Sequence, residues 1–247
     1  MRRAAAVALA ALALAAPAGA TPPNVITAAE YAEPTGRYPH GVLGDDLEWG
    51  ALRLTVDFCH GCARRDIRTL TIRLPENRVF EDTAPRVLDL DGDDIPEVVV
   101  VESDAALGAR LAVYDDTGLV ASTPFIGTRF RWLAPAGAAD LDGDGAVEIA
   151  YVDRPHLART LRVWRYEDRA LTEVASLPGV TNHRIGEIDI AGGLRDCGAG
   201  PEVIVADAAW TQVLAVTLSQ GRLSTRPLGP HRGRDSFAEA LACRDPR

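Results

Sequence analysis

Asp89, Asp91, Asp93 and Glu97 stand at positions 1, 3, 5 and 9 of one short stretch, and Asp140, Asp142, Asp144 and Glu148 repeat that spacing in a second. Each stretch runs directly into an apolar segment, Val98 to Val101 and Ile149 to Val152. Four carboxylates so close together repel one another unless a cation sits among them. A flexible set of hard oxygen donors suits Ca²⁺, which takes six to eight oxygens. Gly92 and Gly143 let the backbone turn tightly enough for alternate side chains to converge. An EF-hand is excluded, because it needs a twelve-residue loop between helices. Here nine-residue loops precede strand-like runs.

Cysteine offers a second chemistry. Cys59 and Cys62 are close enough to bridge locally across His60-Gly61, while Cys197 and Cys243 would pin the C-terminal tail to the last repeat. The spacing of Cys59-His-Gly-Cys62 also suits a redox dithiol. No thioredoxin-like βαβ pattern surrounds it, so a structural disulfide is the expectation. Haem attachment would need histidine where Ala63 stands, and zinc would need two more ligands than His60 and its neighbours supply.

Catalysis leaves no comparable trace. His40, His60, His156, His183 and His231 are far apart in the chain, and no Gly-x-Ser-x-Gly elbow is present. His183 reads as a loop residue. Trp49, Trp132, Trp164 and Trp210 read as packing residues.

The elements that must position the acidic loops recur with them. Upstream, Asp45, Asp46 and Glu48 precede Ala51 to Val56; downstream, Asp189 is followed by an insertion and then Pro201-Glu202-Val203. Anchors at Asp45, Asp89, Asp140 and Asp189 lie 44, 51 and 49 residues apart, the size of a four-stranded propeller blade. Within the second unit, strands are expected at 86–89, 97–102, 110–114 and 119–123. The third gives 138–140, 148–153, 160–166 and 171–176, and the fourth 202–207, 212–218 and 223–226. The second strand of each unit is continuously apolar, as a strand buried on both faces should be. One helix is expected at 236–242, and the strand-like 24–33 is expected against the final unit, closing a ring. The first and fourth units lack the full acidic set and are not expected to bind metal.

The loop Asp-x-Asp-Gly-Asp-[Gly/Asp]-x-x-Glu followed by a Val/Ile strand resembles the FG-GAP/VCBS repeat, the calcium-loop blade of integrin alpha-subunit propellers and many secreted bacterial proteins. The resemblance covers about residues 35 to 230. It implies an all-β fold, a small β-propeller of about four four-stranded blades, with two structural Ca²⁺ ions. Asp89, Asp91, Asp93, Glu97 and the Ile95 carbonyl would hold one ion; Asp140, Asp142, Asp144, Glu148 and the Ala146 carbonyl would hold the other. Members of the family are mostly seven-bladed, a departure here. Repeats are placed at 35–84, 85–134, 135–184 and 185–230, with a tail at 231–247.

Met1-Arg-Arg, an Ala/Leu/Val run from Ala4 to Ala16 and Pro17-Ala-Gly-Ala20 read as a signal peptide spanning 1–20. The remaining 227 residues suffice for one well-buried domain. Formal net charge is −9, and −11 without Arg2 and Arg3, which argues against nucleic acid and anionic membranes. All 26 basic residues are arginine, which with the abundant alanine suggests a GC-rich bacterial genome. The expected function is therefore an exported, monomeric, non-enzymatic module whose propeller face binds a protein or glycan. The alternative is a lyase or hydrolase built on the same scaffold, which a long insertion carrying a His/Arg/Tyr cluster near the ring centre would favour; only 190–200 is inserted, and it is mostly Gly and Ala with one Cys.

Overall fold

The computed structural model describes residues 23–246, so the signal-peptide reading of 1–20 lies outside the described residues. The first unit contains β1 (Val25–Thr35), β2 (Glu48–Asp57) and β3 (Ile67–Arg73). The second contains β4 (Arg78–Phe80), β5 (Arg86–Leu88), β6 (Glu97–Asp104), β7 (Gly108–Asp115) and β8 (Gly118–Ser122). The third is β9 (Leu133–Ala139), β10 (Val147–Asp153), β11 (Thr160–Glu167) and β12 (Ala170–Pro178). The fourth holds β13 (Val180–Thr181), β14 (Gly193–Asp196), β15 (Pro201–Asp207), β16 (Gln212–Ser219) and β17 (Arg222–Pro230), and α1 (Arg234–Leu241) follows. The protein is all-β, and α1 is the single helix among the described residues.

Each unit is an antiparallel meander. In the third, the order is β12-β11-β10-β9; β5 to β8 and β14 to β17 repeat that arrangement. The central strands β6, β10 and β15 are buried nearly throughout, because alternate residues face different neighbours. Val98 and Val100, with Phe80, pack toward Leu52, Leu54 and Val56 of the first unit. Val99 and Val101 pack toward the third with Ile149, Tyr151 and Trp164. Val152, Val203 and Val205 join the third unit to the fourth. At about 1.5–3 kcal/mol per buried aliphatic side chain, this stacking dominates cohesion.

The expectation about closure is corrected. β1 does not lie against the final unit; it pairs with β2 from Val25↔Asp57 to Thr35↔Glu48. An eleven-residue strand facing a ten-residue one gains a long ladder within its own unit. The outer face of the fourth unit, with Ile204, Ala206 and Val213, is covered by Phe237 and Ala240 of α1. The first and fourth units meet through loops, where the Gly186 N–H donates to the Val42 carbonyl at 3.0 Å. β4 joins the first two units into one eight-stranded sheet by pairing Phe80 with Trp49 of β2 and Arg78 with Asp104 of β6.

Both expected disulfides are formed. Cys59 is bonded to Cys62, and Cys197 to Cys243 with Cα atoms 5.8 Å apart. The second ties the segment after α1 to the loop between β14 and β15.

Candidate metal centres

Each acidic loop leads into the buried central strand of its unit, β5 to β6 and β9 to β10. The two loops are built alike. Asp89 Oδ1 accepts from the Gly92 N–H at 2.8 Å and Oδ2 from Asp94 at 3.1 Å. Asp140 Oδ1 accepts from Gly143 at 2.7 Å, and its Oδ2 from Gly145 at 2.9 Å. Position 6 needs left-handed backbone in both, with φ of 65° at Asp94 and 94° at Gly145, and aspartate tolerates that region better than most residues. Asp93 and Asp144 cap position 7, accepting from the amides of Ile95 (2.8 Å) and Ala146 (3.0 Å). The closing glutamates accept from position 2: Leu90 N–H reaches Glu97 Oε2 at 3.1 Å, and Leu141 N–H reaches Glu148 Oε2 at 2.8 Å.

This geometry brings ligand oxygens of Asp89, Asp91 and Glu97 within 4.8 Å of one another, and does the same for Asp140, Asp142 and Glu148. Either group could hold a metal ion. Asp93 and Asp144 stand in the same loops outside these tight triplets. The donor set is wholly oxygen, and Asp142 Oδ1 is buried without a hydrogen-bond partner, so the residues fit a hard cation.

The four units treat the glutamate that opens the central strand differently. Burial and the nearby Asp91 and Asp93 push Glu97 up to about 7, and no arginine hydrogen-bonds any carboxylate of its loop among the described residues. Asp91 is raised as well, by burial and by Asp93. Burial raises Glu148 too, but Arg165 opposes the shift, lying 2.6 Å from Glu148, 3.0 Å from Asp142 and 2.8 Å from Asp144. Burial also acts on Glu202, yet Arg195 and Arg226, at 2.6 and 2.8 Å, outweigh it and hold its carboxyl below the usual range. Glu48 is pushed up to about 9 by burial and by Glu81, Asp45 and Asp82, so it stays protonated at neutral pH.

Asp189 is not the fourth unit's loop aspartate. It pairs with Arg234, while Asp196, at the end of β14, accepts from Gly198 (2.7 Å) and Gly200 (3.2 Å) in the manner of Asp89. The segment between Asp189 and Pro201 therefore includes β14.

A family model described as FG-GAP-like repeat matches residues 89–151, from the first aspartate of one loop through the strand after the other. The chain contains an FG-GAP-like repeat. No curated protein matches the chain. Among solved structures, Bacillus licheniformis rhamnogalacturonan lyase PL11 is similar at 14% identity and a TM-score of 0.40, over 76% of this chain and 44% of that one. The chain thus spans less than half the length of that protein.

Beyond the FG-GAP loops, the structure gathers residues that lie far apart in sequence. His40, His156 and Trp132 line one small cavity, and His156 Nε2 lies 3.1 Å from His183 Nδ1. Three of the five histidines therefore converge. Their separation along the chain hid this, and no local motif marks it.

Proposed function

We propose that the chain is an exported, calcium-stapled propeller of four units, a binding module for a glycan or protein. The observation that carries this reading is the Asp89, Asp91 and Glu97 triplet. Its oxygens converge within 4.8 Å, and no arginine bonds to them. Export is supported by the N-terminal sequence and by the two disulfides, which persist in oxidising compartments. Calcium is favoured over transition metals because every donor is oxygen.

The binding surface is assigned to the groove of about 430 Å³ between the second and third units, where the rings of Phe125 and Trp164 stand beside Arg154, Arg162 and Glu173. That volume suits a small ligand, and aromatic faces with nearby paired charges suit a glycan. Calcium then acts as a staple for the loops and takes no part in chemistry.

Isothermal titration of chelator-treated protein with CaCl₂ tests the metal reading. One strong and one weaker site are expected, and the strong one should vanish in Asp91→Ala. No heat of binding at millimolar calcium would reject it. Titration with acidic and neutral oligosaccharides tests the groove, with Trp164→Ala as the variant that abolishes binding.

One observation favours the alternative reading, an enzyme on the same scaffold. The loops bring His40, His156 and His183 together with Tyr38, Arg131 and Arg154, an arrangement that sequence spacing alone did not disclose.

A further inference from the structure

Segments from all four units meet around one small cavity. His40 comes from the segment between β1 and β2, Glu81 follows β4 while Ser103 belongs to β6, Arg131 and Trp132 precede β9 while His156 follows β10, and His183 follows β13. Glu81 is fully buried and holds His40 through Nδ1, while the Ser103 hydroxyl donates to its other oxygen. The Trp132 indole N–H donates to the Glu81 carbonyl at 2.8 Å. Burial raises the Glu81 carboxyl while its hydrogen bonds to His40 and Ser103 oppose that shift, and the ring is held with Nδ1 on Glu81 and Nε2 as its free nitrogen.

The second pair is fixed in the same way. His183 Nε2 lies 2.9 Å from the Glu187 carbonyl, which can only accept, so that nitrogen carries the proton. Burial keeps His183 neutral, leaving its Nδ1 bare to accept from His156 Nε2. Burial, with His183 and His40 nearby, lowers His156 to about 4, so its Nδ1 keeps a lone pair at neutral pH.

His40 and His156 wall one cavity of about 30 Å³, together with Phe130, Arg131, Trp132 and Arg154. That is room for one or two water molecules. Backbone strain gathers in the same wall: Phe130 and Arg154 hold φ of 61° and 45°, a region disfavoured for side chains of that size. Arg129 stacks over Phe130 at 4.5 Å, adding positive charge near Arg131.

We propose that this cavity holds the attacking water of a hydrolytic site, in which His40, oriented by Glu81, activates that water against a small carboxylic ester bound outside the cavity mouth. His156 Nδ1 is the second acceptor that seats the water. In the step, the water oxygen bonds to the ester carbonyl carbon while its proton passes to His40 Nε2. The positive charge this places on the imidazole is met by Glu81. Arg131, which lines the cavity, is assigned to the oxyanion that forms. The carbon–oxygen bond to the alcohol then breaks, and the alcohol leaves with the proton returned from His40. No oxidant, reductant or metal is required. The proposal develops the enzyme reading and is independent of the calcium loops, so calcium is kept saturating in its test.

The test is hydrolysis of 4-nitrophenyl acetate by the full, disulfide-bonded protein. Release of 4-nitrophenolate should fall about 100-fold or more in His40→Ala, as the loss of a general base implies, and also in Glu81→Gln. His60→Ala, in the Cys59–Cys62 turn, should hydrolyse at the wild-type rate. Melting temperatures report whether each variant folds. If His40→Ala does not fold, ¹⁵N chemical shifts of the wild-type imidazoles decide: non-protonated Nε2 at His40 and Nδ1 at His156 at neutral pH support the site, and protonation of either overturns it. Equal rates in wild type and a folded His40→Ala overturn it. So does a rate lost to a zinc-selective chelator and restored by Zn²⁺, which would assign the cavity to a metal.

Discussion

Arg165 of β11 faces Glu148 of β10 in register and places its guanidinium 2.6 Å from that carboxylate. In the second unit, the residue one step beyond the Val98↔Tyr114 pair is Asp115, an acid where the third unit has a base. Two loops with the same ligand spacing therefore start from opposite electrostatic conditions. Arg165 bonds the third unit's loop carboxylates directly, whereas Arg169 beside the second unit's loop bonds Asp115 at 2.8 Å and not the loop carboxylates.

This asymmetry predicts unequal calcium affinities. The first loop should bind more tightly, because calcium entering the second must displace Arg165. Arg165→Met should tighten the second site about tenfold, roughly 1.4 kcal/mol. In chelator the same variant should lose on the order of 3 kcal/mol of stability, since a buried Glu148 is left unpaired. Calorimetric titration and denaturant melts of the one variant check both signs.

Glu97 predicts how the calcium-free protein responds to pH. Folding raises its pKa to about 7. The unfolded chain titrates near about 4.3. Between those values the folded state holds a proton that the unfolded state has released. The contribution is fully present below about pH 4 and is lost as pH rises through about 7. Melting temperature in chelator should therefore fall from pH 5 to pH 7.5, and Glu97→Gln should flatten the slope. Saturating calcium should remove it as well, because the ion keeps Glu97 ionised.

The two disulfides should contribute unequally. Closing the 46-residue separation between Cys197 and Cys243 removes more unfolded-state entropy than closing the separation of 3 between Cys59 and Cys62. Chain-entropy scaling gives about 4 kcal/mol for the first and about 2 kcal/mol for the second. Paired serine variants, compared by urea denaturation, should rank in that order. The Cys197/Cys243 variant should also loosen α1, which hydrogen exchange at Phe237 and Ala240 would detect.

Much of this architecture is legible in the sequence. The acidic loops and the strands after them stand out because ligand spacing and a continuous apolar run are both local signals. β6, β10, β15 and α1 lie within a few residues of where the pattern puts them. β3 carries only a short alternation, Leu70-Thr-Ile-Arg73, and exposed residues before it, so it leaves a weak local signal. β14 was hidden because it is four residues long and opens on glycine, so its neighbourhood reads as an insertion. Arg165 lies 17 residues from Glu148, and only cross-strand register brings them together. The histidines are harder still: 27 residues separate His156 from His183, and their contact depends on how the third and fourth units stack.

Thermal melting in calcium and in chelator tests the central claim most directly, that the FG-GAP loops are calcium staples. At free calcium one hundred times the dissociation constant, linkage gives about 2.7 kcal/mol of stabilisation. For a domain of this size that is a rise of about 5–10 °C. Asp91→Ala should lose most of the rise and Asp142→Ala a smaller part. A wild-type protein that melts at the same temperature in millimolar calcium and in excess chelator would contradict the account.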